Sequence, residues 1–392
     1  RALVEEEDGG NTSPVEGVAV KVVFDEEGHR ARETLNPAPQ LADGAISLKI
    51  VSWNVNGLRS LATTNKATLL NVIKEQKPDI LCLQETKIQD NTIGDYDNFL
   101  DGYESYWNCS TDKKGYSGTA VFLKKSTILI NPSSKRSGSG PICVGPPKKQ
   151  AKLSAFFKKG LPEPVVSEEE LSQEAVVVPA GHVSVVEQVS YDFEDEGKRF
   201  NGEGRTITVE FSNFILVACY VPNSGEDLKR LNYRVEEWEP HMRQYLKKLN
   251  ARKPVVYTGD LNCGHLDLDI HNPTAKHIPK QSGLTVLERS AFTQMLQETQ
   301  YRDAFRYFYP DAKGQFTYWS VRAGNRPYNK GIRLDYFICS PDMFSVAEGG
   351  EEAKETEGTR TRVLAHDSYI LHKETVGCSD HCPVVLVVKM EE

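Results

Sequence analysis

The stretch Val255-Val256-Tyr257-Thr258-Gly259-Asp260-Leu261-Asn262 reads as a buried apolar strand that stops at a glycine and then presents a carboxylate and an amide. On an extended backbone, positions i and i+2 face the same way, so Asp260 and Asn262 can converge on one ligand. Open α/β sheets place their sites at such strand ends. A polar strand end that caps a loop is the competing reading of these eight residues. Other apolar runs end in the same manner. Val51-Ser52-Trp53-Asn54 brings an amide, and Ile80-Leu81-Cys82-Leu83-Gln84-Glu85 a carboxylate. Ser379-Asp380-His381 supplies a carboxylate and an imidazole just before the apolar run 383–388. Strand ends that gather oxygen and nitrogen donors in this way suit a hard divalent cation.

Seven motifs then stand in order along the chain: SWNVNGLR (52–59), LQETK (83–87), GYSG (115–118), YVPNSG (220–225), GDLN (259–262), RLDYF (333–337) and SDHCP (379–383). Together they resemble the exonuclease III family of abasic-site endonucleases, over residues 48–126, 184–346 and 377–390. The resemblance implies an α/β fold, a four-layer sandwich of two mixed β-sheets packed face to face and flanked by helices. The chain's own pattern agrees, because strands and helices alternate while several strands follow one another directly.

Phosphodiester hydrolysis needs in-line attack by water, charge neutralisation on the phosphate and help for the leaving oxygen. Glu85 is the principal candidate metal ligand, with Asn54, Asp260, Asn262, Asp380 and His381 placed to ligate or hydrogen-bond. An oxygen-rich set with one imidazole favours Mg²⁺, with Mn²⁺ as a substitute, over zinc. The resemblance implies that Asp260, with Asn262 beside it, handles the proton of water or leaving group. It implies that His381 contacts the scissile phosphate, oriented by Asp335, and that Tyr220 and Asn223 hold phosphate oxygens. A carboxylate beside an imidazole raises its pKa and fixes its tautomer, so the last pairing is chemically sensible.

The resemblance also assigns DNA contacts. Arg59, Lys87 and Tyr116 match backbone-contact positions. Tyr318, Trp319 and Ile332 match the walls of a pocket for a flipped-out abasic sugar. Arg322 and Arg326, on the same loop, read either as groove contacts or as ordinary surface arginines. Four departures matter. Ile332 stands where animal members carry tryptophan, and Glu226 where they carry a DNA-contacting arginine. Asn56 stands where animal members carry aspartate and bacterial ones asparagine. Val51 occupies the position of the cysteine tied to redox activity in animal members, so that second activity is not expected.

Organisation follows from composition. The chain of 392 residues carries a net charge of −8, which argues against nucleic acid only if the charge is evenly spread. It is not. Residues 1–47 hold ten acids and four bases and read as a disordered acidic tail. Residues 127–160 hold seven bases and no acid, and residues 161–182 five acids and no base. A solvated, disordered insert over 127–182 is expected. Residues 347–376 read as an acidic loop, and 48–392 as one catalytic domain with these two interruptions. The remaining core is near neutral and free to carry a local basic face.

No run is apolar enough to span a membrane. Cys82, Cys219 and Cys339 sit inside apolar runs as ordinary core thiols, which points to a reducing compartment. A chain opening on Arg1 reads as a fragment or processed form, with an upstream targeting peptide left open.

Within the insert, Gln150-Ala151-Lys152-Leu153-Ser154-Ala155-Phe156-Phe157 matches Q-x-x-L-x-x-F-F, the box by which repair proteins dock on the sliding clamp PCNA. One helical turn places Leu153, Phe156 and Phe157 on one face as an apolar plug, and Gln150 makes a separate polar contact. The competing reading is an aromatic pair anchoring the loop on its own domain. The basic residues around the box read as a nuclear-localisation patch, so the nucleus is the expected compartment.

The expectation is a monomeric Mg²⁺-dependent DNA repair endonuclease. It would cut duplex DNA 5′ of abasic sites to leave a 3′-hydroxyl, trim blocked 3′ ends and serve base excision repair. The alternatives are a phosphoesterase of the same superfamily acting on lipid head groups, inositol phosphates or RNA, and an adaptor that only binds.

Overall fold

The structure, a computed structural model, describes residues 41, 45–96, 99–137, 183–194, 199–344, 361–372 and 375–391. The first half supplies β1 (Ser47–Asn54), α1 (Leu58–Thr64), α2 (Lys66–Gln76), β2 (Ile80–Gln84), β3 (Tyr103–Asn108), β4 (Thr119–Lys124), β5 (Ile128–Ser137) and β6 (Ser184–Ser190). Next come β7 (Thr206–Phe211), β8 (Ile215–Tyr220), α3 (Glu239–Asn250) and β9 (Val255–Asp260). The chain continues through α4 (Val286–Thr299), β10 (Arg302–Asp303), α5 (Ala304–Phe308), β11 (Asp335–Cys339), β12 (Arg362–Ile370) and β13 (Val384–Glu391).

These strands form a six-stranded sheet, in the order β12-β13-β1-β2-β4-β3, and a seven-stranded sheet, β10-β11-β9-β8-β7-β6-β5. Both are mixed. The helical crossover between β1 and β2 makes that pair parallel, as do the longer connections between β8 and β9 and between β5 and β6.

Alternation along each strand builds the four layers. Leu48 and Ile50 of β1 enter the cluster between the sheets with Leu216 and Ala218 of β8. Val51 and Trp53 point the other way, against Leu58 and Leu61 of α1 and Leu69 and Val72 of α2. On the far side Ile215, Val217 and Cys219 meet Met242 and Leu246 of α3 and Phe292 and Met295 of α4. Strands covered on both faces must be apolar throughout, which is why β8 and β9 read as unbroken hydrophobic runs. No helix among the described residues is long and apolar enough to cross a membrane. Cys82, Cys219 and Cys339 are buried free thiols.

The segment boundaries need correction at three places. The insert does not start at residue 127, because Ile128–Ser137 is the edge strand β5, paired in parallel with β6. The acidic excursion at 347–376 contains β12, which pairs antiparallel with β13 along Arg362–Ile370. An edge strand shares only one ladder and tolerates polar residues, so composition hides it. The pattern at 316–321 predicts a further strand, but within it only Tyr318 makes isolated bridges, to Ile332 and to His381. The tail at 1–40 and the box at 150–157 lie outside the described residues.

Gly259 shows how tightly β9 is seated. It has φ +137°, and a Cβ there would overlap the carbonyl oxygen of Cys219 on β8. Gly259→Ala should therefore destabilise the protein by about 3 kcal/mol or more, from backbone strain and clash together. Gly324→Ala has φ +59° but open space around the new methyl, and should cost about 1 kcal/mol. Chemical denaturation that gives the two variants equal losses would refute this view of the β8–β9 contact.

Candidate active site

Strand register brings the chemistry together. Asn54 ends β1 opposite Gln84, the residue before Glu85. Tyr220 ends β8 opposite Asp260, and Asp260 in turn faces Asp335 at the start of β11. His381 stands just before β13, beside the β1 end, since Val384 pairs with Ser52. One end of the sandwich thus collects residues more than 300 positions apart in sequence. The turns that follow are held in left-handed backbone: Asn56, Glu85, Lys87 and Asn262 have φ of 46°, 51°, 54° and 49°. Such conformations in non-glycine residues persist where neighbours over-determine them, commonly at functional sites.

At the centre, Asn54 Nδ2 donates to Glu85 Oε1 at 3.1 Å and to Asp260 Oδ2 at 2.8 Å. Its Oδ1 accepts the Asn56 amide at 3.0 Å. Tyr220 donates its hydroxyl to Glu85 Oε1 at 2.7 Å, and Lys87 Nζ lies 2.9 Å from Glu85 Oε2. Burial alone would raise the Glu85 pKa. The Lys87 ammonium and the Asn54 and Tyr220 donors outweigh that, so the carboxyl sits below its usual range. Burial pushes the Tyr220 hydroxyl far above its ordinary value, with Glu85 and Asp260 adding to the effect. Tyr220 is therefore a neutral donor at physiological pH.

The second group is Asp260, Asp335 and His381, all buried, with candidate ligand atoms within 4.8 Å of one another. Asp335 Oδ2 lies 2.8 Å from His381 Nδ1, and His381 Nε2 lies 3.8 Å from Asp260 Oδ2. Burial by itself lowers the imidazole pKa. The Asp335 and Asp260 carboxylates overcome it and carry His381 up to about 10. Burial raises Asp260 to about 7, opposed by the adjacent imidazolium. The Asn262 amide at 2.9 Å fixes the other Asp260 oxygen. Asn262 also accepts from Asn223 Nδ2 at 2.8 Å and donates its own Nδ2 to the Val221 carbonyl at 2.9 Å.

The donor set fits a hard divalent cation. Two carboxylates converge on one amide, and a lysine ammonium is already drawn to the more accessible of them. Glu85, with Asp260 and the oxygen of Asn54, is the set that would hold the ion. In the present arrangement Asn54 turns its nitrogen to the carboxylates. His381 is less suited to ligation, because one ring nitrogen is engaged by Asp335 and the protonated ring has no free lone pair. Asp380 is half-buried and accepts from Ser379 Oγ at 3.3 Å, and its carbonyl takes the Trp319 amide.

Other residues expected at the site are placed less directly. The Tyr318 ring lies 5.0 Å from His381, at the edge of the cluster. Trp319 is not a surface wall: it is 2% exposed, packs with Phe316 and Cys382, and donates Nε1–H to Asn329 at 3.2 Å. It backs Tyr318 from inside. Ile332 is half-buried against Ile270, Ile278 and Leu284.

Arg326 turns its guanidinium inward. Its guanidinium stacks on Trp319 at 4.6 Å and donates to the carbonyls of His372, Thr375 and Ser379, so it ties the Tyr318 loop to the His381 loop. Arg322 and Arg59 are exposed, and Arg322 pairs with Glu226 at 3.7 Å.

Sequence reasoning missed one neighbour entirely. Arg205, 1% exposed, stacks on the Tyr220 ring at 4.7 Å and donates to the Tyr220 carbonyl at 3.0 Å and to the Tyr116 hydroxyl at 2.8 Å. Arg230 donates to the same hydroxyl at 2.9 Å, and Glu203 balances both arginines. Tyr116 is thus wired to Tyr220 through a buried cation. A lone arginine before an apolar strand gave no signal of this.

His381 supplies a direct test of the electrostatics. With its folded pKa above the unfolded value, the dyad's stabilisation is full below pH 6.5 and is lost as pH rises through about 10. Asp335→Asn should move the imidazole titration from about 10 down towards 6.5, followed by NMR of the ring protons. An unmoved titration would mean that Asp335 is not the partner that charges the ring.

Comparison with known proteins agrees with this geometry. The sequence profile of the Endonuclease/Exonuclease/phosphatase family matches residues 51–381. The exodeoxyribonuclease of Bacillus subtilis is 34% identical over 343 residues, which cover 88% of this chain and 100% of that protein. The DNA-(apurinic or apyrimidinic site) endonuclease of Dictyostelium discoideum is 32% identical over 344 residues, 88% of this chain and 71% of that one. The crystal structure of the AP endonuclease LMAP from Leishmania major superposes with a TM-score of 0.63 at 26% identity, over 94% of this chain and 96% of its own. With the profile spanning most of the chain and the strand ends converging as they do, this protein belongs to the endonuclease/exonuclease/phosphatase family.

Proposed function

We propose that the protein is a DNA repair endonuclease that hydrolyses the phosphodiester 5′ of an abasic site, leaving a 3′-hydroxyl, and that it also trims 3′ ends. The observation that carries this is the Asp335–His381–Asp260 row beside Glu85 at one end of the sandwich, where the two sheets meet. Relatives named as an abasic-site endonuclease and an exodeoxyribonuclease support DNA as the substrate.

Each side chain has a task. Asp335 holds the imidazole by Nδ1, so the charged His381 presents an N–H to a phosphate oxygen and stabilises the negative charge that grows there. Asp260, raised to about 7, can accept a proton at its Oδ2 face and return it, as a group poised near neutral pH should. Tyr220 and Asn223 offer neutral donors. Glu85, Asp260 and Asn54 would hold Mg²⁺, which when bound neutralises phosphate charge as a Lewis acid. Lys87, on the turn after Glu85, and Arg59, in the first turn of α1, can hold the DNA backbone.

The test is incision of a duplex carrying one abasic analogue, with Mg²⁺ and with EDTA, beside a phosphoinositide and an RNA substrate. Cleavage of the duplex only with Mg²⁺ is expected. Preference for either other substrate would reassign the enzyme within its family. Asp260→Asn should keep DNA affinity and fold while incision falls by roughly 10³-fold. A loss of less than about tenfold would remove Asp260 from proton handling.

A second part of this reading concerns residues 150–157. The spacing of Gln150, Leu153, Phe156 and Phe157 suits a sliding-clamp pocket, and tethering there would raise the local concentration of the nuclease at DNA. The lysines around the box suit a nuclear protein. Phe156→Ala combined with Phe157→Ala should abolish clamp binding in calorimetry while incision of a short oligonucleotide stays unchanged. Equal clamp affinity of the wild type and the double variant would sink the idea.

A further inference from the structure

A buried cation beneath the end of β9 takes no part in the chemistry described so far. The helix after YVPNSG opens with a π-helical turn, Tyr233–Trp238, that runs directly into α3. Such turns are rare and gather at functional sites. Arg234 lies on this turn and is 1% exposed. Its guanidinium donates to the carbonyls of Asn262 at 2.6 Å, Leu261 at 2.7 Å and Pro222 at 3.4 Å. Glu288 and Glu239, each 3.5 Å away, balance its charge.

Glu288 has a matching set of contacts. It is 1% exposed and accepts from Ser224 Oγ at 2.5 Å, Gly283 N at 2.9 Å and Thr285 Oγ1 at 2.7 Å. The ion pair therefore grips two segments at once. One is Pro222–Ser224, which carries Asn223. The other is Leu261–Asn262. The side chains of these segments meet in the Asn223–Asn262 bond. Asn262 also supplies the backbone amide that orients Asp260, from a left-handed conformation that needs external support.

We propose that Arg234, seated by Glu288, is the positioning residue for this half of the nuclease site. It fixes the Leu261–Asn262 backbone so that Asp260, Asn262 and Asn223 face the scissile phosphate together. The proposal rests on the phosphodiesterase reading above. A planar fork can serve two carbonyls in fixed directions, which a lysine ammonium cannot reproduce. The pair touches no exposed surface, so losing it should impair turnover more than DNA binding.

The experiment compares wild type, Arg234→Lys, Glu288→Gln and the control Leu246→Ala, a core truncation in α3 that leaves every hydrogen bond of the Arg234–Glu288 pair in place. Incision of the abasic-analogue duplex is measured well below every melting temperature, together with the side-chain amide NMR signals. Arg234→Lys and Glu288→Gln should lose about a hundredfold in kcat with KM within about threefold, the size expected for a small misplacement of reacting groups. The Asn262 side-chain amide signal should shift in both. Leu246→Ala should lose stability and keep kcat. Folded Arg234→Lys or Glu288→Gln with wild-type kcat would reduce the pair to packing and overturn the proposal. If both fail to fold, Ser224→Ala, which removes one Glu288 contact, should still lower kcat by about tenfold, and an unchanged kcat overturns the proposal. A wild type that does not incise DNA sinks the nuclease reading and this inference with it. An active wild type with unaffected variants sinks this inference alone.

Discussion

Glu85 and Asp260 reach the same amide nitrogen of Asn54, and the rest of the site answers to the cost of holding two carboxylates that close. Like charges at short range disfavour joint ionisation, and burial makes the repulsion worse. Each carboxylate has its own remedy. Glu85 has Lys87 on one oxygen and a tyrosine hydroxyl on the other. Asp260 has the imidazolium of His381, itself kept charged by Asp335. The result is an asymmetric pair, with Glu85 pulled below its normal range and Asp260 lifted to neutrality. Two carboxyls pushed apart in this way can take different roles, one as a standing anion and the other as a proton acceptor.

The cations behind the site follow the same logic at longer range. Arg205 backs Tyr220, Arg234 lies under Asn262, and Arg326 sits behind the loop of Tyr318. All three are largely withdrawn from solvent; Arg234 and Arg326 donate mainly to backbone carbonyls, and Arg205 to the Tyr220 carbonyl, the Tyr116 hydroxyl and Glu203. A chain with a net charge of −8 thus keeps positive charge close to where a phosphate would bind. Interior guanidinium groups act there as fixtures, because their protonation does not change over the working pH range.

Much of this was legible in the sequence. Apolar runs closing near Asn54, Glu85 and Asp260, and one opening just after His381, marked the end of the sandwich where these residues meet, and the helical spacing of Leu69, Leu70 and Ile73 implies the parallel β1–β2 pair. What stayed hidden was long-range. Nothing around Arg205 or Arg234 reveals that each folds under a loop of the candidate site, because arginine before an apolar strand or within a helix is common on surfaces. Thr285-x-x-Glu288 carried a readable helix-start signal, but its second use as a seat for Arg234 depends on tertiary packing. Trp319 was misplaced because aromatic residues of a motif suggest a binding wall, whereas its ring fills a small core. β5 and β12 escaped notice because polar composition suffices for an edge strand.

The parallel pairing of β5 with β6 has a geometric corollary. Ser137 leaves β5 at the opposite end of the ladder from Ser184, where β6 begins. Whatever joins these two ends must cover at least the length of the ladder. At about 3.3 Å per residue, retracing the seven residues of β6 takes on the order of six or seven residues even at full stretch. A tight hairpin could never replace this connection without reversing the strand. The segment is thus a span with a minimum length built into the architecture, and only the surplus beyond that minimum is open to elaboration.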